Sequence, residues 1–180
     1  MSTRSNSMNL RKMIFIALLV SMSLVLHIFE NMIPVPFITP GAKLGLANII
    51  TVIALYTLND KEAFLVLFLR IILSVMFGGS ISRLIYSLSG GVLSYLMMVI
   101  TKRVFKGKVS IIGVSCVGAV FHNIGQLLAS ALVVKTISIM LYLPVMSIAG
   151  IGTGIFVGIT GEFAVKHLKK IYGADSEWIA

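Results

Sequence analysis

Polar side chains that carry chemistry occur at helical spacing inside apolar surroundings at two places in this sequence. His27, Glu30 and Asn31 stand at i, i+3, i+4, which puts an imidazole, a carboxylate and an amide on one helix face. His122 and Gln126 stand four apart with Asn123 beside them, in the run Phe121-His122-Asn123-Ile124-Gly125-Gln126. Lys43 and Asn48 flank the start of an apolar stretch, and Arg70 and Arg83 lie within or at the edge of others. Such a set can hydrogen-bond and neutralise a small molecule bearing acidic or carbonyl groups, and Tyr86 and Phe37 can stack on a ring. The same residue types also suit a purely structural role, with Glu30 paired to Arg70 or Arg83 and the amides bridging helices.

The chemistry that is missing narrows the field. There is no G-x-x-x-x-G-K-[ST] phosphate loop, so the chain by itself has no such route to ATP hydrolysis. No nucleophile elbow and no paired carboxylates occur, and the only aspartates, Asp60 and Asp175, lie in a polar turn and in the tail. Diphosphate chemistry with magnesium calls for clustered carboxylates. The lone cysteine, Cys116, sits in an apolar stretch, which excludes an intramolecular disulfide and a zinc framework. We therefore expect no catalytic residues, no metal site and no cofactor.

The elements that hold these residues belong in a membrane. Hydrophobic residues make up 58% of the 180 and charged residues 12%, with a mean hydropathy of +1.03, whereas a soluble domain has about 25% charged residues. Lipid can cover the apolar excess that water cannot. Apolar stretches at 13–32, 44–58, 62–77, 84–101, 110–134 and 139–166 predict an all-α integral membrane protein, a six-transmembrane-helix bundle. The first stretch exceeds a signal-peptide core and has no cleavage site, so it reads as a retained helix. The second and third are short and joined by the tight turn Asn59-Asp60-Lys61-Glu62, so a single re-entrant hairpin is the alternative there. The predicted organisation is a cytoplasmic segment 1–12, a membrane domain 13–168 and a cytoplasmic tail 169–180.

The net charge of +9 is a topology signal rather than a nucleic-acid surface, because the basic residues fall in short runs between apolar stretches. With the N-terminus inside, the inner side collects Arg4, Arg11, Lys12, Lys61, Lys102, Arg103, Lys106, Lys108, Lys166, Lys169 and Lys170 of the 15 Lys and Arg. The excess of inner cations predicts cytoplasmic N- and C-termini in a multi-pass protein of the cell membrane. In that frame the polar sets named above reach a similar depth toward the outer side, and we read them as a binding cavity. The loop 33–41 between the first two stretches holds three of the four prolines, which makes it stiff and extended and suits it to cover that cavity.

Small residues recur at intervals of four. Gly150, Gly154 and Gly158 give the last stretch one smooth side for close packing, and Ala17 and Ser21 do the same on the cytoplasmic half of the first, where internal packing and docking of another subunit both fit.

The basic start, the Ala-x-x-x-Ser pair, the outer loop closing on Pro40-Gly41-Ala42-Lys43-Leu44-Gly45-Leu46-Ala47-Asn48 and the later His122-Asn123-Ile124-Gly125-Gln126-Leu127 together resemble the Gx transporter family over about residues 10–168. Its members are also labelled heptaprenyl diphosphate synthase component I. That family is in turn similar to the substrate-capturing S components of energy-coupling factor (ECF) transporters. The resemblance implies a six-helix subunit that binds a vitamin-like micronutrient in an outward-facing pocket under the first outer loop and then topples in the membrane. It implies as partners a transmembrane coupling subunit and two cytoplasmic ATPases. The coupling-subunit contact would fall on Ala17 and Ser21, where Ser replaces the more usual second Ala. The substrate-binding set would be His27, Glu30, Asn31, Lys43, Asn48, Arg70, Arg83, His122, Asn123 and Gln126. The synthase label implies the alternative, a non-catalytic membrane subunit that assists polyprenyl diphosphate synthesis.

Overall fold

A computed structural model describes residues 2–32, 45–77, 81–106 and 108–172, with the side chains of 2–9, Asn31 and 81–83 also outside the description. Among the described residues the chain is all helical, with α1 (Ser2–Met32), α2 (Leu46–Thr57), α3 (Asp60–Met76), α4 (Ile81–Val104), α5 (Ile111–Val134) and α6 (Leu143–Tyr172). A short 3-10 turn, Ile137–Tyr142, leads into α6. The six apolar stretches thus become six helices. Four stretches are long and apolar enough to cross a membrane: Leu10–Glu30, Leu84–Val104, Ile111–Val134 and Ile137–Tyr172. Their outward faces carry Leu18, Leu132, Ile148 and Phe163, all exposed, and a surface so apolar identifies a membrane protein.

The two short helices have a physical reason to be short. At 12 residues α2 is about 18 Å long, well under the roughly 30 Å of hydrocarbon. Nine of its residues are buried, so its neighbours rather than lipid surround it. It packs on α1, α3 and α6, while α4 and α5 close the far side of the bundle. Gly45 caps that end at φ 78°, a left-handed conformation that a side chain would strain. The other end of α2 turns directly into α3, whose Asn59 and Glu62 form a reciprocal capping box.

One end of the bundle gathers the charge. Lys12 pairs with Glu62 at 2.6 Å, joining α1 to α3. Arg103 pairs with Asp60, and the Tyr95 hydroxyl donates to the Asp60 carbonyl. Lys102 donates to the carbonyl of Leu55 at 2.7 Å and lies over the Tyr56 ring, so α4 caps the last turn of α2.

The glycine stripe of α6 packs on α5. A Cβ on Gly154 would stand 2.7 Å from the Cα of Cys116, and one on Gly158 would stand 2.6 Å from the Cα of Ile112. These are backbone atoms that cannot swing aside. Replacing Gly154 with Ala should therefore cost about 1–3 kcal/mol by forcing the helices apart. Thermal unfolding of the purified protein checks this, and an unchanged midpoint would contradict the close approach.

Candidate functional site

At the end of the bundle opposite the charge lies a cavity of about 480 Å³ lined by residues from all six helices. That volume is within the usual range for small-molecule sites. His27 and Glu30 come from the last turns of α1, Asn48 from the first turn of α2 and Arg70 from the C-terminal half of α3. Tyr86 and Ser87 come from α4, and His122, Asn123, Gln126 and Ser130 from α5. Seven of the ten predicted binding residues thus line one cavity. Lys43, with the rest of the loop that includes Phe37, lies outside the described residues, as do the side chains of Asn31 and Arg83.

The charged pair is held by the chain rather than by direct contact between its members. Glu30 is only 5% exposed, and its carboxylate accepts the backbone N–H of Gly45 at the N-terminus of α2. The partial positive charge at that helix end favours an anion there. Arg70, 7% exposed, donates from both terminal nitrogens to the amide oxygen of Asn48, at 3.3 and 3.4 Å. No ion pair links Glu30 to Arg70, although the two charges act on each other across the site. The direct Glu30–Arg70 pairing considered for a structural role is therefore absent. The guanidinium is anchored by an amide that neutralises none of its charge, which leaves it able to meet an anionic group of a ligand.

The amide of Asn123 has a different task. Its nitrogen donates to the backbone carbonyl of Met146 at 2.6 Å, which bridges α5 to α6. A Cβ on Gly150 would stand 2.8 Å from that nitrogen, so the glycine makes the bridge possible. We expect Asn123→Ala to lower stability by about 0.5–1.5 kcal/mol, the usual contribution of one hydrogen bond. A thermal-unfolding comparison with Gln126→Ala, which has no such bridge among the described residues, would show the difference.

Glycines also set the position of α5 against α4. A Cβ on Gly125 would meet the Ser89 carbonyl oxygen at 2.7 Å, and one on Gly90 would meet the His122 carbonyl oxygen at 2.8 Å. This close crossing brings His122 and Gln126 to the cavity wall.

Ser87, Ser94, Ser115 and Ser130 also line the cavity and are not among the predicted residues. A signal for two of them is present: Ser115, Ala119, His122, Gln126 and Ser130 follow one another at intervals of four, three, four and four, a single face of α5. Ala17 and Ser21, by contrast, are exposed on the outer side of α1, away from the cavity, and the Ser21 hydroxyl returns to the Ala17 carbonyl at 2.9 Å. Among the described residues no group of three or more His, Cys, Asp or Glu is placed to hold a metal ion.

No curated protein and no solved structure matches the chain. The family model for heptaprenyl diphosphate synthase component I matches residues 19–164, from the first membrane helix to the last and including every residue described above as lining the cavity. The chain belongs to the heptaprenyl diphosphate synthase component I family.

Proposed function

We propose that this protein is the substrate-binding membrane subunit, the S component, of an ECF-type transporter. It captures a vitamin-like small molecule from the outer side of the cell membrane. The observation that carries the reading is the cavity: about 480 Å³, lined by all six helices, and placed at the end opposite the basic cluster. The surplus of Lys and Arg supports reading that cluster as cytoplasmic, with both termini there and all six helices crossing or entering the bilayer. Arg70, His27, His122 and Gln126 supply hydrogen bonds and charge for a ligand with acidic or carbonyl groups. Tyr86 and the methionines of the wall supply apolar contact. Binding is followed by movement of the whole subunit against a transmembrane coupling subunit driven by cytoplasmic ATPases, with Ala17 and Ser21 as the contact.

Two measurements test this. A topology reporter fused after Ala180 or inserted near Lys106 should be cytoplasmic, and one near Thr39 external; a Thr39 reporter found inside would turn the cavity to the wrong side. Native mass spectrometry of the purified protein should show a co-purified small molecule. Its affinity should fall about two- to tenfold in His122→Ala and in Gln126→Ala, the loss of one hydrogen bond each. Unchanged affinity in both variants would remove the ligand from this cavity.

The family description favours a second reading, a membrane subunit that assists polyprenyl diphosphate synthesis without catalysing it. Glu30 is the only carboxylate among the described residues that line the cavity, which supports a role other than magnesium-dependent catalysis. Loss of prenyl diphosphate synthesis on deletion, with small-molecule uptake intact, would favour this second reading.

A further inference from the structure

Glu30 and Arg70 are the only residues of fixed charge among the described lining of the cavity, and they carry opposite signs. Both are buried, yet they form no ion pair with each other or with any other described residue. The first turn of α2 keeps them apart. Gly45, whose N–H holds Glu30, and Asn48, whose amide oxygen holds Arg70, are closed into that turn by a hydrogen bond from the Asn48 N–H to the Gly45 carbonyl, at 2.8 Å. A Cβ on Gly45 would stand 3.5 Å from the Asn48 side-chain nitrogen. The Asn48 amide thus turns its oxygen to Arg70 and has its nitrogen on the side of Gly45, a neutral spacer between the two charges.

Neither anchor exhausts the charge it holds. The guanidinium has more N–H donors than the two bonds to Asn48 use. The carboxylate gives one oxygen to Gly45, and the other makes no hydrogen bond to any described residue and is not sealed from open space. Buried charges are costly unless paired. A singly negative ligand would pair with Arg70 but set a second anion near Glu30, and a singly positive one would set a second cation near Arg70. A neutral ligand would desolvate both groups and pair with neither.

We propose that the cavity selects a zwitterion, with an ammonium or other cationic N–H group against Glu30 and a carboxylate or other anionic group against Arg70. The ligand completes the ion pair that the Asn48 amide holds apart. Its two charged groups stand within a few bonds of each other, because their partners are anchored on one helical turn. The rest of the molecule lies against Tyr86, Leu127 and Val157 of the cavity wall. This names the substrate class of the proposed function and rests on that reading.

The full chain in nanodiscs is titrated, with empty nanodiscs as the control, against two matched series of probes. The first is L-phenylalanine, 3-phenylpropionate, which lacks the ammonium, and 2-phenylethylamine, which lacks the carboxylate. The second has a wider charge separation and consists of 4-(aminomethyl)benzoate, 4-methylbenzoate and 4-methylbenzylamine. We expect the zwitterion of at least one series to bind about tenfold or more tightly than either singly charged relative, each of which loses one charge-assisted contact. Glu30→Gln keeps the acceptor for Gly45 and removes the charge, so the preference for the zwitterion over the anion should vanish while the anion binds as well as before or better. In Arg70→Gln the preference over the cation should vanish; if that variant does not fold, Glu30→Gln carries the comparison. A singly charged probe that binds as tightly as its zwitterion in both series, a preference unchanged in Glu30→Gln, or failure of every probe to bind would overturn the inference. The co-purified molecule judges the proposed function separately. A co-purified anion with no basic nitrogen would overturn the zwitterion and leave that function standing, whereas a protein that neither carries nor binds any small molecule would remove both.

Discussion

Glu30→Ala should destabilise the junction of α1 with α2 and, under the proposed function, abolish ligand binding. The carboxylate is buried, accepts the Gly45 N–H and sits at the N-terminus of α2, so it ties the last turn of α1 to the start of α2. Removing it leaves a buried N–H without its acceptor and leaves Arg70 in a buried site without the opposing charge that acts on it. Leaving a buried donor without its acceptor costs about 1–3 kcal/mol. Glu30→Gln separates the two effects, since its amide oxygen still accepts from Gly45 while the charge is lost. The expected order of thermal stability is wild type, then Gln, then Ala. A Glu30→Ala protein as stable as the wild type would show that Glu30 does not hold α2 in place. A destabilised variant that still binds ligand at wild-type affinity would take the carboxylate out of the site.

Ala17→Trp should have the opposite profile: normal folding and ligand binding, with uptake reduced to background. Thirteen residues separate Ala17 from Glu30, which at 100° and 1.5 Å per residue places them about 140° apart around α1 and about 20 Å apart along it. The inward side of this part of α1 is taken by Phe15, Leu19, Val20 and Ser23, and Ala17 and Ser21 are exposed. An indole at position 17 therefore meets no part of this chain's core. Under the proposed function it does meet the coupling subunit, where small residues allow close helix approach. Ligand affinity of the isolated subunit, co-purification of partners and uptake in cells are the three readouts. Normal assembly and uptake in both Ala17→Trp and Ser21→Trp would remove the coupling role from this face. Loss of ligand binding would show that the substitution disturbs the bundle.

The cavity residues were legible to different degrees for physical reasons. Charged and amide groups in apolar stretches are costly unless satisfied, so Glu30, Arg70, Asn48, His122 and Gln126 stand out in the sequence. Serines are cheap in helices because they can bond to their own backbone, so Ser87 and Ser94 of α4 give no such signal until their surroundings are known. Asn123 carries the same chemical signal as Gln126, yet its amide bridges to Met146, a distinction made only by the position of α6. Likewise the glycine stripe and the Ala17/Ser21 pair have the same four-residue spacing. One lies against Cys116 and Ile112 of α5 and the other is exposed.

By itself the sequence determined the class and the helical segments, because hydrophobic transfer acts through local composition along the chain. The tertiary structure decided which helix faces meet. It put α2 at the centre, drew α5 to α4 and α6 through contacts at glycine, and left the space above the short α2 and between α4, α5 and α6 as a cavity. Close approach depends on the shapes of two surfaces at once, and no periodicity within one segment contains the other surface.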